Sequence, residues 1–141
     1  MRVHVSAAAL TAAGIIVTGM ITLRAGEKPP EAHVKLMKDI NATATELRGH
    51  NQSKDYDAIA ADAAKLKTYF AEVEKFWTPR KVDDAIGFAK TGAKGAADLE
   101  TAAKAKNEEG VATAARAVTG TCMGCHTAHR ERLPDGSSEI K

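Results

Sequence analysis

The sequence predicts an all-α protein: an antiparallel up-down-up-down four-helix bundle behind an N-terminal apolar segment. Three observations carry this. Apolar residues recur at three- and four-residue spacing in four successive stretches, each bounded by caps or breakers. Only 4% of the 141 residues are aromatic while alanine is abundant, which suits closely approaching helices better than a β-sandwich. No stretch sustains a polar/apolar alternation, so strands are not expected. A chain of this length makes one domain with a modest core.

Residues 1–25 read as an export segment. Arg2 gives a short positive start, and Val5 to Leu23 (VSAAALTAAGIIVTGMITL) is an uncharged run of 19 residues. That length is near a membrane span, and Leu23-Arg24-Ala25 is the nearest cleavage pattern, so a cleaved signal peptide and a retained anchor both stay open. Either one places the remainder outside the cytoplasm, in the periplasm. Arg2 and Arg24 also account for the formal charge of +2; without them 18 basic side chains stand against 18 acidic ones. That balance excludes the basic footprint of a nucleic-acid binder. Residues 26–30, with Pro29 and Pro30, read as a linker.

The bundle domain is expected over residues 31–133. The first helix runs from about Glu31 to Arg48 with Val34, Met37, Ile40, Ala44 and Leu47 on one stripe. Gly49 is its expected C-terminal cap, and Ser53 the next N-cap. The second spans about Lys54 to Trp77, its seam formed by Tyr56, Ile59, Ala63, Leu66, Phe70, Val73 and Trp77. Thr78-Pro79 signals the start of the third, which covers about Pro79 to Lys106. Its seam is small (Val82, Ala85, Ala89, Gly92, Ala96, Leu99, Ala103), which permits close approach or leaves room for a bulky group. Asn107 caps a fourth helix from about Glu108 to Arg132, and Glu108 and Glu109 suit its positive end. Residues 134–141 read as a polar tail.

The chemistry concentrates in TCMGCHTAHR, residues 121–130. The fourth seam, Val111, Ala115 and Val118, continues into Cys122, Cys125 and His129, and His126 lies one turn beyond Cys122 on the same side. Two cysteines three apart on a continuous helix meet poorly at disulfide geometry. A thioredoxin-like motif expects a βαβ context that is not seen here. Cys122, Cys125, His126 and His129 offer two sulfurs and two nitrogens to zinc, but four ligands within eight residues of one helix do not surround an ion tetrahedrally. C-x-x-C-H is the c-type haem attachment pattern, with the histidine as proximal iron ligand. One covalently attached haem c is the preferred reading, and zinc or cofactor-free cysteines are the alternatives.

With CMGCHTAHR in the last helix, Phe76-Trp77 in the second and VKLMKDI in the first, the chain resembles the class II cytochromes c, the cytochrome c′ type. The resemblance covers about residues 27 to 133. It implies a periplasmic electron-transport protein, not an enzyme, with redox proteins as partners; a homodimer, as many relatives form, stays open. Carried over, Cys122 and Cys125 are the thioether cysteines and His126 the proximal ligand. Arg130 matches the basic residue usually found near the haem's proximal side. His129 departs from the pattern, which usually has an aromatic residue there, and reads as a packing or hydrogen-bonding residue.

Met37 is the expected sixth ligand. The antiparallel first and fourth helices put it level with His126, each about 9 Å from its helix end at 1.5 Å per residue. Methionine opposite histidine is an electron-transfer ligation, and KLMK resembles the low-spin branch. Against this, a methionine on a seam is usually core filler. The alternative function is then a five-coordinate haem that binds small gases such as nitric oxide or carbon monoxide. His33, one turn earlier, sits nearer the helix end and is the weaker ligand candidate. His50, expected in a loop, and His4 read as incidental.

Overall fold

The computed structural model describes residues 26–141; the export segment expected over residues 1–25 lies outside the described residues. Among the described residues no helix is long and apolar enough to cross a membrane. Four helices form the expected antiparallel bundle: α1 (Glu31–Ser53), α2 (Tyr56–Trp77), α3 (Asp83–Lys104) and α4 (Glu108–His129).

The α2 and α3 seams read from spacing are buried from Ile59 to Trp77 and from Ala85 to Ala103. Tyr56, Val82, Met37 and Ala44 are half-buried, and α4 buries Ala114 where the spacing named Ala115. Ile59, Leu66, Leu99 and Val111 are almost wholly out of water, each worth about 2 kcal/mol of burial. The small residues of α3 let it approach both neighbours: a Cβ on Gly92 would lie only 2.5 Å from Phe70 Cε1. Helices α2 and α3, α3 and α4, and α1 and α2 pack closely, whereas α1 and α4 stand apart. Helix α1 is held mainly by Ile40, Thr43 and Leu47, while its first turns leave Val34 36% exposed. The bundle is therefore open along one side.

Local chemistry shifts several expected boundaries. Helix α1 continues through Gly49 to Ser53, and Lys54, in the left-handed region at φ 56°, ends it. The extra turn is held by a tertiary contact, His50 Nδ1 to Asp62 Oδ2 at 2.8 Å, which overrides the glycine. His50 is thus helical and paired, not an incidental loop residue. Asp55, not Ser53, caps α2, its Oδ1 accepting from Ala58 N at 3.1 Å. Thr78-Pro79 starts only a 3₁₀ turn, Thr78–Arg80, because the Thr78 hydroxyl donates back to Glu74 O at 2.7 Å. Helix α3 begins after it, at Asp83. Asn107 caps α4 as expected, accepting from Gly110 N at 3.0 Å.

The expectation of no strands and of a polar tail fails. Helix α4 stops at His129, and β1 (Arg130–Arg132) pairs antiparallel with β2 (Ser138–Ile140). The turn chemistry explains it: Asp135 Oδ1 accepts from Ser137 N at 2.9 Å, and Gly136 supplies φ 86°. Glu27, expected in a linker, bridges Ile140 through paired backbone bonds of 2.9 and 2.8 Å. Ile140 is 8% exposed and belongs to the core. Lys141 N and Nζ then donate to the His129 and Thr127 carbonyls, both at 3.1 Å, which folds the hairpin against the end of α4.

Candidate cofactor site between α1 and α4

The opening between α1 and α4 contains two adjoining cavities. The first, about 250 Å³, takes lining from all four helices, including Met37, Phe70, Phe88, Cys122, Cys125 and His126. The second, about 830 Å³, lies toward the hairpin and is lined by His33, Met37, Cys125, His126, Arg130 and Ile140 among others. Met37, Asn41, Val73, Cys125 and His126 border both. The structure therefore brings Cys122, Cys125, His126 and Met37 to one space, with His33, His129 and Arg130 on its larger compartment. Together the cavities are the size of a site for an organic ligand or cofactor.

Helix α4 positions the motif by its own period. After the buried Val111, Ala114, Val118 and Thr121, the half-buried Cys122, Cys125 and His126 follow along the turn that meets the gap. Gly124 makes room there: a Cβ would sit 2.7 Å from Phe88 Cε1 and the ring would have to shift. The absence of a Cβ lets the Phe88 ring pass under the cysteine turn.

Both cysteines are free thiols. Burial pushes the Cys122 thiol up, and burial, then Cys122 and Asp84, push Cys125 up to about 11. Both are protonated near neutral pH. Burial, and then the Arg130 charge, hold the His126 imidazole below its ordinary value, so it is neutral with a lone pair available. The site thus presents two protonated sulfurs and one neutral imidazole to the cavity between the helices.

His33 is held more firmly than its sequence position suggested. Its ring stacks on Phe76 with 3.8 Å between centres. The Arg80 guanidinium carbon also lies 3.8 Å from the Phe76 centre, and the two groups must occupy opposite faces of the ring. Burial, followed by Arg80 and His126, lowers the His33 imidazole to about 4. Its Nδ1 is buried with no hydrogen-bond partner.

His129 turns elsewhere: Nε2 lies 2.9 Å from Asp84 Oδ2, and the ring is 5.2 Å from that of Trp77. Among the described residues no three His, Cys, Asp or Glu side chains gather to hold a metal ion by themselves, so the four-ligand zinc grouping is not assembled. Arg130, expected on the helix, is the exposed first residue of β1 and borders the larger cavity. The large apolar side chains exposed among the described residues, Val34 and Met123, lie on the rims of the second and first cavities respectively.

The hairpin wall and the Phe88–Gly124 contact have no counterpart in the sequence reading. Pro134-Asp135-Gly136 is a turn signal that could have revealed the first; nothing local marks the second. Compared with known proteins, the chain matches no family model and no curated protein.

Proposed function

We propose that the chain is a monohaem c-type cytochrome of the class II kind, which carries single electrons outside the cytoplasmic membrane. One observation carries the reading above the others. The two free thiols and the neutral imidazole of CMGCH open together onto a cavity lined by all four helices, where the bundle is unclosed. The residues present fit the group: two sulfurs three positions apart, a nitrogen donor beside them, apolar walls, and the cations Lys28, Lys38 and Arg130 at the far compartment. When bound, haem supplies one-electron exchange between ferrous and ferric iron.

Cys122 and Cys125 would hold it through two thioether bonds, and His126 Nε2 or Nδ1 would be its proximal donor. Met37 borders both cavities from α1, the helix facing His126, and would supply the sixth donor. Phe70, Val73 and Phe88 would give the haem apolar contact in the smaller compartment. Val34 and Met123 leave an apolar rim on which a redox partner can seat close to the site.

An absorption spectrum of the reduced protein, with and without carbon monoxide, tests this. Low-spin bands that carbon monoxide leaves unchanged or alters only by displacing a protein ligand support the carrier. A high-spin ferrous spectrum with direct carbon monoxide binding would replace it by the gas-binding alternative.

A further inference from the structure

We infer that the second cavity is the seat of the two haem carboxylates, with the His33 imidazole as their hydrogen-bond donor and Lys28, Lys38 and Arg130 as their counter-charges. The inference rests on the haem reading above and adds an orientation to it. Haem carries its vinyl groups on one side and its carboxylates on the other. Cys122 lines only the first cavity, while Cys125 lines both. Thioether bonds at these sulfurs fix the vinyl side at the first cavity, and the acid side then falls in the second.

The charged residues divide the same way. Arg48 is the one charged side chain on the first cavity, and its Nη2 donates to Thr45 Oγ1 at 2.9 Å. The second carries Lys28, Lys38 and Arg130. Among the described residues none of these three pairs with a carboxylate, although most lysines elsewhere do, such as Lys67 with Glu100 and Lys94 with Asp98. Two acids face the same compartment, but Asp135 Oδ1 is engaged by Ser137 N and Oγ at 2.9 and 2.6 Å. Glu139 alone is left against three cations.

His33 supplies the second, independent observation. Its Nδ1 is shut away from the cavity, so Nε2, the ring nitrogen that keeps accessible surface and has no protein partner, is the one a group in the second cavity can reach. The Phe76 stack, clamped from its other face by Arg80, fixes the plane of the imidazole. A neutral ring in that position has an N–H to give, and a carboxylate accepts it as a charge-assisted bond. Neutralising the acids from this end favours the ferrous state.

The test uses the haem-loaded protein and two readouts, the carboxylate bending band in resonance Raman and the midpoint potential. His33→Leu is expected to shift the band and lower the potential; His33→Gln, which keeps an N–H donor, is expected to restore both. Lys38→Ala is expected to lower the potential in the same direction, and Arg116→Ala, an exposed cation that lines neither cavity, to leave it unchanged. A His33→Leu protein with wild-type band and potential overturns this inference alone. So does loss of the low-spin spectrum in His33→Leu with Met37 intact, which would put His33 on the iron. A chain that carries no covalent haem overturns both this inference and the function on which it rests.

Discussion

Met37 of α1 and His126 of α4 stand on the two helices of the bundle that do not pack together, and both border each of the two cavities between them. An antiparallel four-helix bundle normally closes that side with apolar side chains. Here a thioether and a neutral imidazole face it instead, and the proposed ligation rests on that pairing.

Replacing the thioether is the first consequence. Met37→Ala is expected to abolish the low-spin bands and to let reduced protein bind carbon monoxide at an open position, read by absorption spectroscopy. Because Met37 is only half-buried, the stability cost is expected to stay below about 2 kcal/mol, less than for a fully buried methionine.

Two glycines of α3 are expected to respond with opposite signs. A Cβ at Gly92 meets three Phe70 ring atoms between 2.5 and 2.7 Å, and Phe70 is only 5% exposed. Gly92→Ala is expected to destabilise the protein by about 1–3 kcal/mol and to push Phe70 into the smaller cavity. Gly87 has nothing within 4 Å of such a Cβ, so Gly87→Ala is expected to stabilise by about 0.5–1 kcal/mol through helix propensity alone. Urea denaturation of the pair checks both.

At the opposite end of the bundle, Asp62 is 2% exposed and its two oxygens are taken by His50 at 2.8 Å and Lys65 at 3.1 Å. Asp62→Ala removes the tie that extends α1. The partners are partly exposed and recover water, so the expected loss is about 1–3 kcal/mol by urea denaturation. The visible spectrum is expected to stay unchanged, since neither His50 nor Asp62 lines a cavity.

His33 sets a pH dependence. Its imidazole titrates near 6.5 in the unfolded chain and at about 4 in the folded one, through burial, then Arg80 and His126. The folded state binds fewer protons between those values. The stability tied to neutral His33 is therefore complete above pH 6.5 and is lost as pH falls toward 4. Allowing for partial solvent screening, the loss is on the order of 2 kcal/mol. Relative to His33→Gln, the haem-free wild-type chain is expected to lose stability across that window; parallel curves would remove His33 as the cause.

The seams of α2 and α3 were readable because one period governs a whole helix: Ile59 through Trp77 and Ala85 through Ala103 are the buried residues that the spacing names. The helix ends were less readable, because their outcome depends on other elements. Gly49 and Thr78 carry stop and start signals, yet His50 reaches across to Asp62 and the Thr78 hydroxyl turns back to Glu74. The hairpin was hidden for a related reason. Three-residue strands are too short for alternation to show, and Ile140 is one apolar residue in a polar stretch until Glu27, distant in sequence, pairs with it. In the site, the cysteines and His126 announce themselves by spacing, whereas the partner of His33 is set by tertiary packing on Phe76 and Arg80.

The most direct measurement is the intact mass of the purified chain under denaturing conditions, after expression alongside a haem-attachment system. The account expects the polypeptide plus one haem, reduced to bare polypeptide in a Cys122→Ala/Cys125→Ala double variant. A wild-type chain that runs at the mass of the polypeptide alone, with no retained absorbance, would contradict it.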